Sequence, residues 1–343
     1  MLAVSFNLSQ LKVTGTPVSV LEGIPTLLTQ GSANFAISDN GTLIYESGGA
    51  IKGNWALALV DRKGKVQSLY DTANFYMEGS LSSAGRIAMR IAATHDDIWI
   101  FDLAQRSPSR FTFKPGDEFY PLWTPDGSRI AFGLRVGGNQ QIWWQKADGS
   151  ADAELLKKGE HPRFPGSFSP ISESLAFVEI HPEKQQDIWL VSLEKDSREV
   201  QFQATAANEF APKFSPGGSW LAYVSDQTGG NEVYVGPIGS PGGRQKISAG
   251  GGTMPVWSRD GRELYYANGK KMMAVVFDEK TGAHSTPELL FEIDSLEKCK
   301  IYGLTEDGKF VMSLFQKDAS PPHFQVFEHW FEELKRRVPS GGK

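Results

Sequence analysis

The residues best suited to chemistry are dispersed. Six histidines, His95, His161, His181, His284, His323 and His329, stand far apart. None falls in an H-E-x-x-H stretch, which would set two imidazoles on one helix face around a metal ion. No G-x-S-x-G stretch offers a serine at a strand-to-helix elbow. The single cysteine, Cys299, permits neither an intrachain disulfide nor a cysteine-based zinc cluster, and it reads as a small core hydrophobe. The "GGG" at 250–252 is followed by neither Lys-Ser nor a helix start, so it reads as a connecting loop rather than a phosphate cradle. These patterns predict no catalytic residue, no metal and no cofactor.

Acidic and aromatic residues form a second set. Asp97 and Asp187 each precede "IW", and an acid repeated at equivalent points reads as a structural bond to a neighbouring turn. Five segments enter a short strand, the first four mixing charge with aromatic rings. They are "NFYME" at 74–78, "DEFYP" at 117–121, "EHPRF" at 160–164, "NEFAP" at 208–212 and "TMP" at 253–255. Their binding candidates are Tyr76, Glu78, Glu118, Tyr120, Glu160, Arg163 and Glu209. Whether these converge depends on the elements that carry them.

Those elements repeat. Seven turn signatures align, "SDNG" at Ser38, "SSAG" at Ser82, "TPDG" at Thr124, "SPIS" at Ser169, "SPGG" at Ser215, "SRDG" at Ser258 and "TEDG" at Thr305. Successive signatures lie 44, 42, 45, 46, 43 and 47 residues apart. Ser or Thr caps the first position, Pro pre-sets φ, Asp or Asn bonds its own backbone, and Gly takes the left-handed position that folds two strands together. The fourth copy has Ser172 in place of the Gly.

Each turn is followed by a short apolar strand such as "IAM" at 87–89, "IAF" at 130–132 or "LAY" at 221–223. These strands lack in/out alternation, so both faces must be buried. Their recurrent central Ala suits closely packed sheets. A further strand follows a polar loop, as in "DIWIFDL" from Asp97 and "DIWLVSL" from Asp187, and a weaker fourth ends most units.

A four-stranded unit of about 43 residues has the spacing of a β-propeller blade, which cannot bury both faces alone and must stack around an axis. The expected fold is therefore all-β, with about seven four-stranded blades and a range of six to eight. Residues 1–325 form one propeller domain in this reading. The segment "MLAVSFNLSQLKVTGTPVSVLEG" resembles "MMAVVFDEKTGAHSTPELLFEID" from Met272 and is expected to close the ring with the last blade. The tail, 326–338, carries Phe327, Trp330, Phe331 and Leu334 at helical spacing, with Glu332–Arg336 and Glu333–Arg337 as i,i+4 pairs. It reads as an amphipathic helix on the propeller rim.

In a propeller these five segments gather at one mouth of the central channel. Two readings stay open. Their polar groups form a binding mouth whose acidity favours a cationic peptide, a basic protein segment or a metal ion. Otherwise Phe119, Phe164 and Phe210 plug the core while the acids solvate the rim.

With 343 residues and a net charge of −5, the chain has ample core and no basic surplus for nucleic acid. No run approaches the roughly 20 apolar residues of a membrane span. The start lacks the basic and apolar regions of a signal peptide. A monomer is expected.

The phrases "PLWTPDGSRIAF", "APKFSPGGSWLAYVS" and "MPVWSRDGRELYYA" resemble the WD40-like (PD40) repeat of TolB-like propellers over nearly the whole chain. "LKVTGTPVSVLEG", "FSPGGSWLAYVSDQTGGNEVYV", "PVWSRDGREL" and "WFEELKRRVP" are similar to the propeller that follows a serine/threonine kinase domain in acidobacteria. No Gly-rich nucleotide loop, His-Arg-Asp loop or Asp-Phe-Gly accompanies them. The resemblance implies a non-catalytic sensor or docking module, periplasmic or extracytoplasmic, that binds a protein, peptide or small ligand at the channel mouth. The alternatives are a free-standing TolB-like periplasmic scaffold and a propeller enzyme such as a polysaccharide lyase or hydrolase.

Overall fold

A computed structural model describes residues 2–21, 26–27, 32–33, 35–47, 55–92, 96–113, 116–183, 185–194, 198–203, 205–240, 242–316 and 323–338. The chain divides into two compact units, Asn54–Lys317 and a smaller one of Met1–Gly53 with Asp318–Lys343.

The larger unit holds six four-stranded antiparallel sheets. Blade 1 comprises Tyr76–Leu81, Arg86–Ile91, Asp97–Asp102 and Ser107–Arg110. Blade 2 comprises Asp117–Trp123, Arg129–Val136, Asn139–Lys146 and Glu154–Lys157. Blade 3 comprises Arg163–Phe168, Ser174–Ile180, Gln186–Ser192 and Glu199–Gln203. Blade 4 comprises Glu209–Phe214, Trp220–Ser225, Glu232–Pro237 and Gln245–Lys246. Blade 5 comprises Thr253–Trp257, Glu263–Asn268, Lys271–Val276 and Glu288–Glu292. Blade 6 is composite: Lys300–Leu304 and Phe310–Phe315 are completed by Trp55–Val60 and Val66–Asn74 from the other end of the chain. The innermost strands neighbour one another in circular order, blade 6 returning to blade 1. This is the all-β propeller expected, with six blades.

Ring closure differs from expectation. Residues 2–21, the described part of the segment expected to close it, do not complete the last blade; Leu2–Ala3 pairs with Val18–Ser19, and Phe6–Asn7 with Lys12–Val13. Burial explains the choice. The closing strand must be apolar on both faces, and Leu57 and Val60 are fully buried there, whereas Leu2, Phe6 and Leu8 are exposed.

The turn chemistry acts as read. Gly85, Gly127, Gly218, Gly261 and Gly308 all have φ between +68° and +75°, and each donates its N–H to the carbonyl of the Ser or Thr three residues earlier. Those hydroxyls also accept the backbone N–H of the next strand, as Thr124 Oγ1 does from Arg129 at 3.0 Å. Ala88, Ala131, Ala176 and Ala222 are fully buried. Large apolar groups interdigitate between blades, as Ala88, Ile98 and Phe111 of blade 1 do with Trp123, Ile130 and Phe132 of blade 2. Each such buried side chain contributes roughly 1.5–3 kcal/mol relative to exposure.

In the smaller unit, His323–Phe327, Leu43–Ser47 and Phe35–Ile37 form a three-stranded sheet carrying the first turn signature. The helix runs only from Trp330 to Arg337. Val326 and Phe327 are claimed by the ladder opposite Ile44 and Leu43, so the helix starts after them. Trp330 is buried with Val20, Leu21, Leu43 and Tyr45. Arg337 donates to the Val20 carbonyl at 2.7 Å, and Glu333 pairs with both Arg336 and Arg337.

Candidate functional site

All six innermost strands carry a β-bulge. The bulges bend the strands where they meet around the axis. At three of them a non-glycine residue is left-handed and followed by proline: Tyr120 (φ +53°), Ala211 (+54°) and Met254 (+53°). Such a conformation costs on the order of 1–3 kcal/mol and persists where its surroundings enforce it. All three line one cavity of about 260 Å³ at the centre of the ring, with contributions from every innermost strand.

The wall is mostly apolar. Pro121, Leu122, Phe164, Pro165, Phe210, Pro212, Pro255 and Ile301 lie around it. Tyr120 and Phe164 stack across the join of blades 2 and 3, with centroids 4.3 Å apart. The joins are held closely. Ser80 Oγ accepts the Trp123 N–H at 3.0 Å, and Ser167 Oγ accepts that of Phe214 at 3.1 Å. Gly166 lets this happen, since a Cβ there would stand 2.4 Å from Pro212 Cγ.

The seven sequence candidates separate. Glu78 and Tyr120 line the cavity, and the other five are outside its lining. Tyr76 is buried among Leu57, Ile87 and Phe101 and donates its hydroxyl to the Thr72 carbonyl at 2.7 Å. Glu118 is 2% exposed and accepts from Thr112 Oγ1 at 3.2 Å; burial pushes its pKa up to about 8. Glu209 is fully buried, bonded by Thr205 and Ser225, and its pKa is likewise raised by burial. Arg163 forms ion pairs with Glu179 and Glu199. Glu160 is exposed.

The mouth is therefore not acidic in the sense expected. Even Glu78 is matched, since Arg90 meets its two carboxylate oxygens at 2.7 and 3.0 Å. Arg90 also meets Asp96 at 2.7 Å. Of the three rings, Phe164 and Phe210 line the cavity while Phe119 lies under Arg90 and Arg135, and of the polar candidates Glu78 and Tyr120 face it. Asp97 is the structural acid anticipated, paired with Arg110 at 2.7 Å.

Two lysines escaped notice. Lys213 and Lys300 line the cavity. Lys213 Nζ donates to the Gly166 carbonyl at 3.4 Å, and burial alone lowers its pKa to about 8. A sequence signal existed. Counted back from the turn signatures, Lys213 holds the place taken by Ser80, Leu122, Ser167, Val256 and Gly303 in the other blades, so it is the one charge at a point otherwise held by small or apolar residues.

Cys299 is buried with Met272, Leu296 and Phe310, and desolvation pushes its thiol up to about 12. No group of three or more His, Cys, Asp or Glu that could hold a metal ion occurs among the described residues. No helix among them is long and apolar enough to cross a membrane.

Six bulged four-stranded blades around a central, mostly apolar cavity define a β-propeller. The sequence pattern of the TolB beta propeller domain family matches residues 147–326, more than half of the chain, and the chain belongs to that family. Solved structures agree in fold. A TolB of Agrobacterium tumefaciens superposes with a TM-score of 0.61 at 17% identity, covering 77% of this chain and 99% of the other. TolB of Acinetobacter baumannii gives 0.53 at 13%, covering 80% and 66%. A chain of the nidogen/laminin complex gives 0.53 at 14%, covering 78% and 95%. At these identities the likeness is one of fold.

Proposed function

We propose that this chain is a non-catalytic binding module whose central channel takes up a small ligand or an extended segment of a protein partner. The observation that carries the reading is the channel. It is concave, largely apolar and contributed by all six blades, with a few convergent polar groups, which is the usual constitution of a ligand site. Hydrogen bonds between innermost strands hold it in shape before any ligand arrives, which lowers the ordering cost of binding.

The similarity of its repeat phrases to kinase-linked propellers supports a sensor or docking role outside the cytoplasm. Membership of the TolB beta propeller domain family also suits a scaffold. The channel reading holds for either.

The test is a random-peptide display screen against the immobilised chain, with Met254→Trp as a channel plug. Selected peptides should bind the wild type and lose at least about tenfold with the plugged variant. Binders indifferent to the plug would overturn the channel as the site.

A further inference from the structure

We propose that the channel is a receptor for a single carboxylate borne on an apolar body, with Lys213 and Lys300 as its anion-recognising groups. This rests on the channel being the binding site and adds the chemistry of its occupant.

The charge balance points that way. Four ionisable side chains face the cavity: Glu78, Tyr120, Lys213 and Lys300. The carboxylate of Glu78 is occupied on both oxygens by Arg90, and Tyr120 is a neutral phenol. Among the described residues, neither lysine has a carboxylate within ion-pair distance. The wall is thus left with two ammonium groups and no free negative charge.

Lys213 makes the imbalance costly. The residue is half-buried at the cavity wall, and its ammonium has one long bond, to the Gly166 carbonyl at 3.4 Å. An ammonium partly withdrawn from water without a counter-ion is unfavourable. The fall of its pKa to about 8, with burial as the sole cause, reports the same penalty. The equivalent places in the other blades, Ser80, Leu122, Ser167, Val256 and Gly303, carry no charge. A half-buried cation without a carboxylate partner in an apolar cleft marks a site for an anion that restores the balance.

The anion is small and singly charged. Sites for phosphate dianions gather several backbone N–H groups, with lysine or arginine beside them. This wall has prolines at 121, 165, 212 and 255, which have no N–H to give, and no arginine among its lining residues. Two ammonium donors suit one carboxylate. The remainder of the ligand meets Phe210, Met254, Ile301 and the stacked faces of Tyr120 and Phe164. The volume of about 260 Å³ lies at the low end for organic ligands, so it admits a small acid or the last one or two residues of a chain.

Titration calorimetry on the full chain tests this with two pairs of probes. One pair is 3-phenylpropionate and its amide. The other is Gly-Gly-Leu-Phe with a free or an amidated C-terminus. Within at least one pair, the carboxylate should bind at least about tenfold more tightly than its amide. The tighter acid tells a free small acid from a chain terminus as the source. Lys213→Met should abolish the preference and Lys213→Arg should keep part of it. Should Lys213→Met fail to fold, Lys300→Met should still weaken the acids at least about threefold. Acid binding should also fall between pH 7 and 9.5 as Lys213 loses its proton, while amide binding stays level.

Equal affinity for acid and amide, or an acid preference that survives both lysine substitutions, overturns the carboxylate receptor. So does failure of both acids to bind in the millimolar range. In each case peptides from the display screen that the Met254→Trp plug displaces would leave the channel standing as a binding site. Without such peptides the channel reading falls too.

Discussion

The ring of Tyr120 in blade 2 lies stacked on that of Phe164 in blade 3, with centroids 4.3 Å apart and 16° between their planes. The contact joins two blades at the channel wall and depends on the left-handed backbone of Tyr120. An aromatic pair contributes about 0.5–1.5 kcal/mol beyond area burial. In a double-mutant cycle of Tyr120→Ala and Phe164→Ala, urea unfolding should give a coupling energy of about 1 kcal/mol. A coupling near zero would mean that the rings are neighbours without consequence.

Arg90 is the single cation between Glu78 and Asp96, and all three side chains are mostly buried. Removing one partner of a buried pair leaves uncompensated charge and costs roughly 3–5 kcal/mol. Arg90→Met should therefore lower stability by about 3 kcal/mol. Adding Glu78→Gln to that variant should recover part of the loss. Thermal melts of the wild type and both variants measure the two effects.

Gly166 faces Pro212 of the next blade, with the Ala176 carbonyl 3.2 Å from where a Cβ would stand. Neither neighbour is a flexible side-chain end. Gly166→Ala should force blades 3 and 4 apart and cost about 1–3 kcal/mol, the range for overpacking. It should also weaken channel ligands, because Phe164 and Lys213 lie on the two strands displaced. Unchanged stability would show that the join is looser than the geometry states.

Glu118 provides a pH test with a definite sign. Its folded pKa of about 8 lies above the unfolded value of about 4.3, so folding favours its protonated form. The stabilisation is complete below the unfolded pKa and is lost as pH rises through about 8. Glu118→Gln mimics the neutral form. Relative to the wild type, it should raise the melting temperature by about 2–6 °C at pH 8.5, corresponding to about 1–2 kcal/mol. The difference should shrink toward zero at pH 4.5. A pH-independent difference would mean that Glu118 is ionised in the folded chain.

Much of the fold is legible in local chemistry. A left-handed glycine three residues after a Ser or Thr dictates the turn wherever it stands, and Gly85, Gly127, Gly218, Gly261 and Gly308 all comply. Strand burial on both faces was readable from "IAF" and "LAY". Ring closure was not. Any apolar strand can in principle fill the third place of blade 6, and the winner, Trp55–Val60, was decided by burial of Leu57 and Val60 against their neighbours.

The site divides in the same way. The five segments were read from their residue types and places, and they enter the innermost strands of five blades, all five of which line the channel within those segments. Which side chains face the channel was settled by the bulges. A bulge adds one residue to a strand and re-aims the side chains that follow, so Glu118 and Glu209 are buried away from the lining while Tyr120 and Lys213 line it. Charge pairing came with folding as well, since Arg90 is 12 residues from Glu78 in sequence and meets it only across two paired strands. By itself the sequence determined the repeat, its turns and the propeller, because those follow from local backbone preference and burial at a fixed period. The six-bladed closure and the charge of the channel were decided only by the tertiary structure, because both depend on groups that come together once the strands are registered and the ring is shut.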